Sequence, residues 1–312
     1  MTVEVSMPLD KAAAPPAPRR LRLGRLLLFA PAFIVIVGFL VVPLGFIVVY
    51  SFLTPGTYGG VVWRFSTDAY VQFLFERDIF TQELQFTSAY LSIYGRSFLQ
   101  ALAATIACFI IGFPTAYFIA TRPPAQRTAW VFLITVPYWV NLLIRTVSML
   151  FIIRDEGPLN HGLITLGLIS EPLRIAYTDF AIGLGLTYSY LPFMVLPIYA
   201  AIERFDFRLM DAAYDLYADR WAILVHVVLP MVKPGIIAGC LLVFIPSLGA
   251  FIAPDLLGGG RNLMIGNLIA LQFQGSRNWP FGSAAAVILL TMVLIVLVVF
   301  ARRQAKTAAG RA

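Results

Sequence analysis

Hydrophobic positions run in six long, nearly uninterrupted blocks: Leu26–Leu53, Ser97–Thr121, Ala129–Ile153, Asp179–Ile202, Gly235–Leu257 and Pro280–Ala301. At 1.5 Å of rise per residue each block is long enough to cross the ~30 Å hydrocarbon layer as a helix. The pattern therefore predicts an all-α membrane protein with six transmembrane helices. Polar segments separate them: an aromatic loop (Thr54–Arg96), a short basic turn (Arg122–Thr128), a Gly/Pro-containing loop (Arg154–Thr178), a charged insert (Glu203–Pro234) and a Gly-rich loop (Gly258–Trp279). No internal repeat is visible, so residues 26–301 form one six-helix unit. Residues 1–25 and 302–312 flank it as tails, the first rich in Ala and Pro over Ala12–Pro18 and expected to be disordered.

The insert departs from the apolar pattern. Leu209, Ala212, Ala213 and Leu216 fall at i, i+3, i+4 and i+7, and Trp221, Leu224, Val225 and Val228 repeat the spacing. Two short amphipathic helices are predicted, each with one apolar stripe turned inward. Asp206, Asp211, Asp215, Asp219 and Arg220 cover much of the remaining surface. Asp211 is placed to cap free amides at a helix start. Pro230 and Pro234 are expected to end the second helix and restart the chain as the fifth span. Such a pair can lie along the membrane face and offer its polar side to a partner.

Composition agrees with membrane residence. Of 312 residues, 60% are hydrophobic and 12% charged, and the mean hydropathy is +0.83. The net charge of +7 is read as an orientation signal, and no segment looks like a nucleic-acid-binding module. With the N-terminus inside, inner segments hold fifteen Lys and Arg and outer loops seven, while Arg145 lies within a span. Arg19, Arg20, Arg22 and Arg25, ahead of the first span, weigh most. The asymmetry predicts both termini and the insert on the cytoplasmic side. The apolar run after Arg25 is too long for the core of a cleaved signal peptide.

Asp211-Ala212-Ala213, followed by Tyr217 and then Leu229-Pro230, resembles the "EAA" loop of ABC-importer permeases. Tyr217 stands where that pattern has glycine. Tyr138-Trp139-Val140-Asn141-Leu142-Leu143-Ile144-Arg145, Pro192 to Pro197, Asp255 to Gly259, Asn262 to Asn267 and Asn278 to Gly282 are similar to the spermidine/putrescine permeases of the PotB/PotH type. These blocks span roughly residues 130–285. The resemblance implies a type I ABC importer permease fold, with the insert as coupling helix in a cleft of an ATPase subunit. Its coupling residues would be Asp211, Ala212, Ala213, Asp215, Leu216, Tyr217, Leu229 and Pro230. Small Ala212 and Ala213 would let the partner approach. The implied partners are a second homologous permease (PotC/PotI-like), two ATPase subunits, a periplasmic binding protein and membrane lipid, in a bacterial inner membrane. ATP and magnesium would be bound by the ATPase. A tyrosine disfavours the left-handed link that glycine permits. Either the link is more nearly helical here, or Tyr217 packs on the ATPase.

The remaining chemistry is sparse. Lys11, Lys233 and Lys306 are the only lysines and none follows glycine, so the chain has no P-loop of its own. His161 and His226 are too few for a histidine cluster, and Cys108 and Cys240 lie in apolar runs as expected of small buried hydrophobes. No cofactor or metal is expected, and no catalytic group. Proline punctuates several spans, most densely the fifth, where Pro246, Ser247, Gly249 and Pro254 make it the expected broken, cavity-lining helix. Candidate path residues are Asp255, Tyr138, Trp139, Asn141, Tyr188, Tyr190 and Ser247. Carboxylates and aromatic faces attract cations, but Asp255 could equally bond its own turn and the aromatics could form an interfacial belt. Arg145 is expected to snorkel outward or pair with a carboxylate. The reading is a permease subunit for a small cationic solute, a polyamine first. Another organic solute or a metal ion stays open, as does a secondary carrier, which would need intramembrane carboxylates and repeats that the chain lacks.

Overall fold

The computed structural model describes residues 31, 33–77 and 84–309. The tail 1–25, its arginine cluster and the start of the first predicted span therefore lie outside the described residues, as do 310–312. Among the described residues five helices are long and apolar enough to cross a membrane, six if a pair bent by 89° is counted as one span. The helices are α1 (Phe33–Tyr50), α3 (Ala89–Ala120), the pair α4 (Pro124–Thr135) and α5 (Leu142–Ile153), α7 (Asp179–Glu203), α9 (Arg220–Leu248) and α12 (Trp279–Ala309). Shorter helices fill the loops: α2 (Asp68–Val71), α6 (Pro158–Thr165), α8 (Arg208–Asp215), α10 (Ile252–Gly258) and α11 (Ile265–Gln274). The predicted aromatic loop instead holds two antiparallel hairpins, β1 (Leu53–Pro55) with β2 (Val61–Phe65) and β3 (Phe75–Arg77) with β4 (Leu84–Phe86). Gly59 and Gly60, at φ +102° and +78°, make the first turn possible.

The contacts divide the chain into residues 1–47 and 48–312. Within the second unit α3, α7 and α9 pack mutually around Cys108, Ala116, Ile119, Met194, Ile198, Ile202, Val232 and Val243. Glycine makes that seam close. A Cβ at Gly235 would sit 2.4 Å from Ala201 Cβ and 2.6 Å from the Pro197 carbonyl, and one at Gly239 3.1 Å from the Met194 carbonyl. Two ion pairs mark the ends of the bundle. Arg96 meets Asp179 at 3.1 Å where α3 and α7 start, and Arg127 meets Glu203 at 3.9 Å where they finish. The short basic turn and the insert thus share one end.

Proline behaves differently from expectation. Pro230 and Pro234 do not stop a helix, because α9 runs unbroken from Arg220 to Leu248. A π turn over Leu224–Val228, closed by Leu229 N–H to Leu224 O, precedes Pro230. The same device, Val42 N–H to Val37 O, precedes Pro43 in α1. A widened turn clears the proline ring from the preceding carbonyls without ending the helix.

The real breaks lie elsewhere. The third predicted span is not one helix: a 3-10 turn over Val136–Trp139 and two extended residues, Val140 and Asn141, bend it by 89°. The fifth span is broken as expected, but after Pro246, at Gly249–Phe251, and α10 follows as a separate helix. Neighbours satisfy the exposed backbone there. Tyr190 Oη donates to Pro246 O, Asn267 Nδ2 to Phe251 O, and Ser97 Oγ accepts from Ile265 N–H. Gly266 allows α11 to lie on this break, since a Cβ would meet Ala250 O at 2.5 Å. In a membrane such partners are what make irregular backbone tolerable.

Candidate functional site

Two regions carry chemistry, the insert at one end and the meeting of the broken spans within the bundle. In the insert Asp206 Oδ1, not Asp211, accepts from the Arg208 N–H and starts α8. Asp211 lies exposed in the first turn. After Asp215 the chain closes a Schellman motif: Tyr217 N–H bonds Tyr214 O at 2.9 Å and Ala218 N–H bonds Ala213 O at 3.1 Å. The motif requires a left-handed residue, and Tyr217 takes that place at φ +60°. The more nearly helical link is therefore excluded. Asp219 then accepts from Ala222 N–H and starts α9.

The predicted inward stripe is corrected. Phe207, Met210 and Ala213 face the core, joined by Ala218, Ile223 and Val228. Leu209, Ala212 and Leu216 are exposed, Leu216 at 81%, with Tyr217 at 99% and Trp221 at 73%. The eight-residue helix carries two adjacent apolar stripes, and the one with the bulkier Phe207 and Met210 is buried. The outward face is thus apolar and aromatic, edged by Asp211, Asp215 and Asp219. Leu229 is half-buried and Pro230 exposed, both within the helix. A left-handed L residue costs roughly 1–2 kcal/mol. Tyr217→Gly is expected to stabilise the link by about 1 kcal/mol, seen as slower amide exchange at Ala218.

At the broken spans, Tyr138, Tyr188 and Tyr190 come together. Pro192 has no N–H for the Tyr188 carbonyl, and Tyr138 Oη donates to that carbonyl instead. Phe193 stands 6.3 Å from the ring centres of both Tyr138 and Tyr190. A cavity of about 210 Å³ opens beside them, lined by Leu142, Ser189, Tyr190, Pro246, Gly249 and Phe251 among others. Asn141 is spent as the cap of α5, accepting from Leu143 N–H at 2.8 Å. Trp139 is 75% exposed and edge-on to Phe132, away from this cluster. Ser247 is fully buried and its hydroxyl bonds Val243 O.

Asp255 lies exposed in the first turn of α10, and no side-chain bond ties it to a turn. Arg145 pairs with no carboxylate among the described residues. Its guanidinium lies 4.4 Å from the Tyr138 ring centre and 5.9 Å from that of Tyr188. Sequence reasoning also missed Asn267 and Gly266; a Gly-Asn pair inside a loop between spans was the available signal.

The chain thus carries up to six spans, with the insert between the fourth and the fifth. Residues 109–306 match the family model "Binding-protein-dependent transport system inner membrane component", and the chain belongs to this family. It is 40% identical to the spermidine/putrescine transport system permease protein PotB of Escherichia coli, over 83% of this chain and 94% of that one. Against the PotB of Haemophilus influenzae identity is 43%, over 70% and 76%. A membrane chain of a bacterial ABC transporter that imports alginate superposes with a TM-score of 0.63 at 18% identity, covering 93% of this chain and 96% of that one. That likeness establishes the type I importer permease fold.

Proposed function

We propose that this chain is a polyamine-translocating permease subunit of an ATP-driven importer. The observation that carries the reading is the 40% identity to PotB across 83% of the chain. The side chains fit it: Tyr138, Tyr188 and Tyr190 supply π faces and Asp255, separately on α10, a carboxylate, both attractive to ammonium groups. The assembly we propose has a second homologous permease, two ATPase subunits and a periplasmic binding protein. The insert docks on an ATPase through Leu209, Ala212, Leu216, Tyr217 and Trp221, and α9 carries the movement inward because it begins there. Asp211 and Asp215 flank that contact. Neither a cofactor nor a metal is assigned to this chain; ATP and magnesium belong to the ATPase.

Both termini and the insert are placed in the cytoplasm, following the Lys and Arg asymmetry. A cysteine at Asp219 should then react only with reagent added from the inner side. Reaction from outside would overturn this orientation.

Asp255→Asn is expected to lower polyamine uptake several-fold while assembly is kept, because the exposed carboxylate has no competing partner. Unchanged uptake would remove Asp255 from the path. For the assignment as a whole, the complex should hydrolyse ATP faster when its binding protein is loaded with spermidine. Stimulation by other loaded ligands but not by spermidine or putrescine would reject the polyamine reading.

A further inference from the structure

Arg145 presents a problem that the transport assignment does not solve. A charged side chain within a span costs about 2.5–3.5 kcal/mol at mid-bilayer on insertion scales, so it normally finds a carboxylate or backbone carbonyls. Here Nε and one Nη (Nη1) are buried and have no hydrogen-bond partner. Among the described residues the aromatic faces on the cation are the Tyr138 and Tyr188 rings, at 4.4 and 5.9 Å. Two ring faces around one cation form a cation site by chemistry, and this one is filled by the chain itself.

We propose that the Tyr138–Tyr188 pair is a binding site for a substrate ammonium group, and that Arg145 is its resident occupant, which arriving substrate displaces. The proposal rests on the reading that the cargo is cationic. Three features carry it. Tyr138 does not depend on Arg145 for position: it is held by its bond to the carbonyl that Pro192 leaves free, and Phe193 packs edge-on against it. The nearer ring face therefore persists when the guanidinium leaves. Arg145 has no ion pair among the described residues and is held chiefly by the two tyrosines, a weaker and more exchangeable attraction than a hydrogen-bonded ion pair. It also stands on the first turn of α5, just past the extended residues Val140 and Asn141, so small changes at that bend carry the guanidinium away. Leu142, Ser189 and Tyr190, neighbours of the three residues in their own elements, line the cavity beside the cage. A primary alkylammonium group and a guanidinium are both suited to such a face. The arrangement keeps the site closed to stray cations at rest while leaving it ready for a competing amine.

The test uses the assembled importer in lipid nanodiscs. With Arg145→Ala, methylguanidinium and propylammonium should each raise the unfolding midpoint saturably, while equal concentrations of potassium chloride do not. The wild-type complex should respond only at higher concentrations, because Arg145 competes for the rings, and the double variant Arg145→Ala/Tyr138→Leu should not respond. Absence of a selective response in Arg145→Ala would overturn the proposal. Should that variant fail to assemble, the wild type decides: phenylglyoxal should modify Arg145 about tenfold faster during substrate-stimulated turnover than at rest. Equal rates would overturn the proposal. Neither alkyl cation is a polyamine, so failure of the polyamine reading shows separately, as absent spermidine uptake by the wild type.

Discussion

Ala212→Trp is expected to abolish substrate-stimulated ATP hydrolysis while leaving the permease folded and inserted. Ala212 lies on the exposed face of α8 between Leu209 and Leu216. An indole there adds bulk only on the outside, so it obstructs a partner without disturbing the bundle. A partner seated against small residues approaches closely, and a bulky side chain placed between the two surfaces keeps them apart. Ala213→Trp provides the contrast. Ala213 turns toward Met210, Ala218 and Ile223, so its replacement overpacks the interior and should lower stability as well as coupling. Co-purification of ATPase with each variant, together with their unfolding midpoints, separates the two effects. Normal assembly and hydrolysis in Ala212→Trp would show that the exposed face is not the coupling surface.

Gly235→Leu is the second large effect. The α7–α9 seam depends on the absence of a side chain there, with the Pro197 carbonyl and Ala201 at less than van der Waals distance from any added Cβ. Backbone cannot step aside cheaply, so the helices must part, at a cost of about 1–3 kcal/mol for overpacking, and more if the seam opens along its length. The expected result is a lower unfolding midpoint and, in assembled importer, ATP hydrolysis that no longer drives uptake. The second part follows because α9 alone joins the insert to the broken region at Gly249–Phe251. An unchanged midpoint would contradict the close approach of α7 and α9.

The long apolar blocks, the insert and its position between the fourth and fifth spans were legible, because hydropathy and period depend on local composition. What the prolines do was less so. Pro230 and Pro234 read as helix stops, yet a π turn over Leu224–Val228 absorbs Pro230. The sharpest bend, over Val136–Asn141, starts at Pro137, but the turn and the two non-helical residues after it, closed by the Asn141 cap of α5, were not legible from one proline. Tyr217 was legible as a departure from glycine but not in its consequence. Two Schellman hydrogen bonds and open space on every side hold the left-handed turn despite the side chain. The insert's inward stripe was assigned to the wrong neighbours because Leu209/Ala212 and Phe207/Met210 are both apolar rows of one short helix. Only packing against Ile202, Ile223 and Val228 chooses between them. Arg145 depends on Tyr188, from a different span, and no local pattern places those two together.

The most direct test of the central claim is uptake of radiolabelled spermidine by proteoliposomes holding this chain with its permease partner, the two ATPases and the binding protein. The account predicts accumulation that requires ATP inside with the ATPases, persists when ion gradients are collapsed, and is lost in Ala212→Trp. Accumulation that follows an ion gradient without ATP, or ATP hydrolysis that moves no polyamine, would contradict it.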